Sequence, residues 1–97
     1  MLAIDLGADG RVQMAGRLDA SQAPAAQAFM DKLGGEVVLD CSALDYLSSA
    51  GLGVLLKTQK RLMSAGGRMR LVGVRPHVRD IFTYSGFDQI FDIKLAP

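Results

Sequence analysis

The chain has 97 residues, of which 49% are hydrophobic, 22% charged and 6% aromatic, with no tryptophan and a formal net charge of +1. That length and apolar content predict one compact domain with a packed core. Short apolar runs and the early Asp5 and Asp9 argue against a membrane span or export signal, and the lone Cys41 has no disulfide partner or metal-ligand spacing, so a reducing cytoplasm is expected.

Leu2–Leu6 and Arg11–Ala15 read as strands joined by Gly7-Ala8-Asp9-Gly10, whose Asp-Gly favours a tight hairpin turn. After Gly16-Arg17-Leu18-Asp19, Ser21 is placed to cap a helix running through Ala26, Phe29, Met30 and Leu33, with Pro24 in its first turn and Gly34-Gly35 ending it. The β-branched run Glu36–Asp40 predicts a central strand. Leu52, Leu55, Leu56, Gln59, Leu62 and Met63 recur at spacings of three and four, which predicts a helix over 50–65 that ends at Gly66-Gly67. Arg68–Val74 reads as a further strand, Pro76 opens a third helix carrying Val78, Ile81 and Phe82, Gly86 closes it, and Gln89–Ile93 is a last strand. The order ββαβαβαβ implies a single small α/β domain, a mixed sheet with helices packed on at least one face.

The stretch Tyr46-Leu47-Ser48-Ser49-Ala50-Gly51-Leu52-Gly53-Val54 places small hydroxyl residues where a strand-like run gives way to the second helix. A serine at that boundary is either a plain helix cap or a modification site, because backbone N–H groups and the helix dipole favour negative charge there. Ser49 is expected to cap the helix. Leu52, Leu55, Leu56 and Leu62 are expected in the core, as are Met14, Met30, Met63 and Met69, whereas Val54 and the residues before the helix are expected at an exposed contact surface.

Charge is unevenly spread: residues 1–49 hold three Lys/Arg against seven Asp/Glu, and residues 50–80 hold seven against one. The basic residues Lys57, Lys60, Arg61, Arg68, Arg70, Arg75 and Arg79 are distributed over two helices and a strand without interleaved aromatics, the pattern of a solvated face and not of a nucleic-acid interface. No phosphate-cradling or dinucleotide-binding glycine motif is present, and His77 stands without a nucleophile or ligand partner, so a solvated side chain is expected. Neither a catalytic centre, a metal site nor a resident cofactor is expected. Asp40 and Asp45 bracket the connection into the serine motif and are expected to hold its backbone through side-chain hydrogen bonds.

Four stretches together resemble the STAS domain family of anti-sigma factor antagonists and transporter modules, over nearly all of the chain: Gly16–Asp19, Val37–Asp40, Ser48–Leu55, and Gly66-Gly67-Arg68 with Val78–Phe87. The resemblance implies a bacterial partner-switching protein that binds a kinase-type anti-sigma factor when unphosphorylated and lets go when phosphorylated, a phosphatase resetting it. It places the phosphorylated serine at Ser49, with Ser48 the second choice, and a partner surface at Asp19, Ser48, Ser49, Ala50, Gly51, Gly53 and Val54. ATP and magnesium would belong to the kinase. Ser48 stands where the family pattern has aspartate and Ala50 where it has Ser or Thr, which removes a carboxylate beside the hydroxyl and offers a second acceptor. Asp19 is either a contributor to kinase recognition or a turn-capping carboxylate before Ser21. The alternative is a constitutive STAS accessory or scaffold subunit of a transport or lipid-trafficking complex.

Overall fold

In the computed structural model, which describes residues 1–97, five strands form one sheet in the order β1-β2-β3-β4-β5. Strands β1 (Leu2–Leu6) and β2 (Val12–Leu18) are antiparallel, joined by the expected tight turn; β3 (Glu36–Leu47), β4 (Arg68–Val74) and β5 (Asp92–Leu95) continue parallel to β2. Helices α1 (Ala23–Met30), α2 (Ser49–Ser64) and α3 (Pro76–Ser85) fill the three crossovers. Parallel crossovers are right-handed, and the strands advance in one direction, so all three helices must cover the same face. Their buried residues join those of the strands in a single core that includes Met14, Leu39, Leu71, Leu55 and Phe82. No helix is long and apolar enough to cross a membrane.

Several boundaries differ from the sequence expectation, and β2 runs on past Ala15 to Leu18. Strand β3 runs seven residues past Asp40, because its second half pairs with the end of β2 from Ala15↔Ala43 to Leu18↔Leu47. Two register shifts on that pairing break the simple alternation and turn Leu44 and Leu47 inward. Helix α1 starts later than Ser21: that hydroxyl is held by Asp19 Oδ1 at 2.7 Å, Gln22 takes the cap position without a side-chain bond, and the helix ends at Met30. Strand β5 comes later than expected because the chain after the left-handed Gly86 (φ 80°) makes another turn, with the Ile90 amide bonded to the Phe87 carbonyl.

Among the expected core residues, Met14, Met30, Met69, Leu52, Leu55 and Leu62 are buried, Leu56 is half-buried, and Met63 is 47% exposed on the outer side of α2. Cys41 is buried at the middle of β3, and burial, aided by the Asp40 charge, pushes its thiol up to about 12. Gln59, a polar member of the apolar stripe of α2, is buried and fully used in hydrogen bonds to Met69 and Ile90.

Candidate functional site

The C-terminal ends of β2 and β3 deliver two short connections to one rim of the sheet: Asp19–Gln22 into α1 and Ser48 into α2. The Ser48 amide donates to the Leu18 carbonyl at 2.9 Å, which joins the two connections. A Cβ at Gly51 would lie 2.5 Å from that same carbonyl oxygen, so the first turn of α2 rests directly on the end of β2. Gly51 is buried and serves this close approach, not a surface contact.

Ser48, not Ser49, caps α2. Its backbone is extended (φ −85°, ψ 172°) and its Oγ accepts from the Gly51 amide at 3.1 Å. The shift follows from β3, which stays extended through Leu47 and makes the next residue the boundary. Ser49 is therefore the first residue of the helix proper; it is exposed, and its hydroxyl makes no hydrogen bond within the chain. No acidic side chain lies in the first turn, so the partial positive charge of the 16-residue helix is uncompensated beside that hydroxyl.

The other candidates divide by exposure. Asp19 is half-buried and turned to its own loop: the Ser21 hydroxyl, then the Gln22 and Ser21 amides, hold its carboxyl below the usual 3.8. Ala50 is half-buried and Gly53 exposed. Val54 is only 6% exposed, which corrects the expectation of a surface contact: α2 packs against both the sheet and α1, so its buried arc is wider than the leucine stripe alone. Thr58 is buried for the same reason, with Gln27 of α1 beside it.

Of the bracketing carboxylates, Asp40 accepts from the Ser42 amide at 3.0 Å, as expected, and that bond with the Ser42 hydroxyl lowers its carboxyl below 3.8. Asp45 instead pairs with Arg75, whose Nε also donates to the Ser42 carbonyl at 3.1 Å, while the exposed His77 places Nε2 2.7 Å from the Asp45 carbonyl. The distal half of β3 is thus braced from the start of α3. Arg61 likewise reaches the Met30 and Leu33 carbonyls at 2.9 and 2.7 Å and closes the end of α1. Much of the basic block is thereby used inside the molecule.

Two features of the rim were not legible in advance. Arg17 stacks 4.2 Å from the centre of the Tyr46 ring, paired across β2 and β3. A groove between α1 and α2 gathers Gln27, Gly53, Lys57 and Lys60. Both depend on which strands and helices become neighbours, which no local spacing specifies. No three His, Cys, Asp or Glu side chains converge.

Against known proteins, the family model described as "Mlab, STAS domain" matches residues 4–95. BtrV of Bordetella bronchiseptica, named by inference an anti-sigma factor antagonist, is 47% identical over 66 residues, which span 68% of this chain and 57% of that protein. The anti-sigma-B factor antagonist of Bacillus subtilis is 28% identical over 89 residues, covering 89% of this chain and 82% of its own. Among solved structures, an anti-sigma factor antagonist from Mycobacterium paratuberculosis is 27% identical and superposes with a TM-score of 0.76, over 97% of this chain and 84% of that one.

Proposed function

Taking as premise that the chain belongs to the STAS domain family, we propose that it is an anti-sigma factor antagonist working by partner switching. Unmodified, it binds a kinase-type anti-sigma factor through the tip of α2 and the neighbouring Asp19 loop. Phosphorylation of Ser49 releases it, and a phosphatase restores it. The designations of the Bordetella and Bacillus relatives support this reading. The observation that carries it is the contrast between adjacent hydroxyls: Ser48 is committed to the helix cap, and Ser49 is exposed and uncommitted at a positively polarised helix end.

The physical argument for switching is a difference between states. In the free chain a phosphate on Ser49 gains from the amides and dipole of α2, so the fold tolerates it. In the complex the same group brings nearly two negative charges into a surface that must be desolvated. Only a partner that touches the α2 tip feels that difference. The chain itself is proposed to perform no catalysis and hold no cofactor; ATP and magnesium are the kinase's, and the setting is cytoplasmic.

The replacement of the family's aspartate by Ser48 favours one other reading, a constitutive scaffold subunit that binds without modification. One experiment separates the two: incubation with each kinase-type anti-sigma factor of the chain's own genome and ATP, followed by intact-mass analysis and peptide mapping. One phosphate on Ser49 is expected. Stable binding of a transport-complex subunit with no phosphate on either serine would replace the switch by the scaffold.

A further inference from the structure

Gly53 lies on the exposed side of α2, one turn beyond Ser49, with ordinary helical backbone angles and nothing within 4 Å of where a Cβ would be. The fold has no use for its missing side chain, and a glycine inside a helix makes that helix less stable than alanine would. It is the reverse of Gly51, whose Cβ position is already filled by Leu18 and Leu47.

Gly53 borders the groove between α1 and α2, a space of about 430 Å³ with Val54 buried beneath it and Ala50 and Leu56 alongside. Lys57 and Lys60 line it too, and neither ammonium group has an ion pair or hydrogen bond; in the same basic block Arg68 is also unpaired, whereas Arg61, Arg70 and Arg75 are engaged within the chain and Arg79 forms an ion pair with Asp80. Gln27 is the one residue of α1 at the groove, and its amide is held by Asp31 and Thr58. No carboxylate of this chain lines the space.

We propose that a helix of the protein partner lies in this groove, with Asp or Glu side chains facing Lys57 and Lys60 and a small or apolar residue over Gly53, where the missing Cβ lets two helix backbones approach closely. The identity of that partner rests on the partner-switching reading; the groove and its chemistry do not. Ser49 is one turn from Gly53 on the same helix, so an added phosphate and the groove lysines act on one acidic partner element with opposite sign.

Two measurements test this. In the first, the anti-sigma factor of the same genome that binds the unmodified chain is titrated with Gly53→Ala, Lys57→Glu/Lys60→Glu, Ser49→Asp and, as an exposed control on β5, Lys94→Glu. Gly53→Ala is expected to raise the melting temperature of the free chain by about 4 °C while weakening binding about tenfold, a combination that fold damage does not produce. The double charge reversal is expected to weaken binding by about tenfold or more, with the difference shrinking at high salt, and Lys94→Glu to leave it unchanged. Full affinity in both groove variants overturns the groove, even where Ser49→Asp abolishes binding. Loss in the groove variants with Ser49→Asp unaffected overturns the switch and retains the groove.

The second measurement needs no natural partner: a synthetic amphipathic helical peptide bearing Glu on its polar face, and its counterpart bearing Lys, are titrated into the isotope-labelled chain. Amide shifts at Gly53, Lys57 and Lys60 are expected with the Glu peptide alone. Their absence, or equal shifts with the Lys peptide, overturns the proposal.

Discussion

Gln59 and Met69 exchange a pair of hydrogen bonds: the Met69 amide donates to Gln59 Oε1 at 2.7 Å, and Gln59 Nε2 donates to the Met69 carbonyl at 3.1 Å. A side-chain amide here completes strand-like pairing with β4, and a further bond to the Ile90 carbonyl at 3.0 Å brings in the segment before β5. These bonds fix α2 along its own axis relative to the sheet. The helix that presents Ser49 is thereby tied to β4 and to the segment before β5.

Gln59→Leu would leave the buried Met69 amide and carbonyl, and the part-buried Ile90 carbonyl, without this partner, although the residue keeps its size. A loss of about 2–4 kcal/mol in urea unfolding is expected. A loss under about 0.5 kcal/mol would mean that these groups find other partners.

The two serines should separate cleanly in stability. Ser48→Ala removes the cap bond to the Gly51 amide and is expected to cost about 1 kcal/mol, read as a fall of about 4–8 °C in melting temperature. Ser49→Ala breaks no hydrogen bond and should stay within about 0.5 kcal/mol of the parent. The opposite ranking would return the cap to Ser49.

For binding, the charge placed at Ser49 decides. Ser49→Asp is expected to weaken anti-sigma factor binding by about tenfold or more, since a carboxylate carries part of the phosphate's charge, and Ser49→Ala to retain it while accepting no phosphate at that position. Isothermal titration with both variants decides the matter, and equal affinities would count against the switch.

Gly51→Ala forces a methyl group to 2.5 Å from the Leu18 carbonyl oxygen and 2.7 Å from Leu18 Cγ. Backbone cannot retreat as a flexible side chain can, so a loss of about 1–3 kcal/mol is expected. Amide exchange should show the damage at the β2 end and the first turn of α2, leaving β4 protected.

The Asp19 carboxyl is held below 3.8 first by the Ser21 hydroxyl. With the folded value depressed, its contribution to stability is complete above the unfolded value and is lost as pH falls through the lower folded one. Ser21→Ala should raise the midpoint toward 3.8, read by carboxyl carbon NMR titration. A midpoint at or above 3.8 in the unaltered chain would falsify the loop geometry.

Periodicity and turn chemistry made most of the architecture readable: the hairpin at Gly7–Gly10, the left-handed stop at Gly86 and the leucine stripe of α2 are local signals. The second half of β3 was not, since Cys41-Ser42-Ala43 has little strand character of its own and is extended because β2 lies beside it. That one long-range pairing also moved the helix cap by a residue, from Ser49 to Ser48. Val54 and Met63 were misjudged for a related reason: packing against α1 as well as the sheet turns the buried arc of α2 towards Val54 and Thr58 and leaves Met63, on the opposite side of the helix, outside it. Arg61 and Arg75 looked like solvated charge because their carbonyl acceptors are 28 to 33 residues away in sequence.

With all three crossovers on one side, the sheet has a bare reverse, where Lys94 lies beside Val38, Val72 and the Arg70–Asp92 pair. Cys41 is sealed in the core with its thiol pushed up to about 12. Lys94→Cys would therefore supply a single reactive sulfur for thiol-selective chemistry. A dye or sensor-chip tether attached there points away from the helices, so association kinetics can be recorded on an immobilised molecule whose recognition end remains unobstructed.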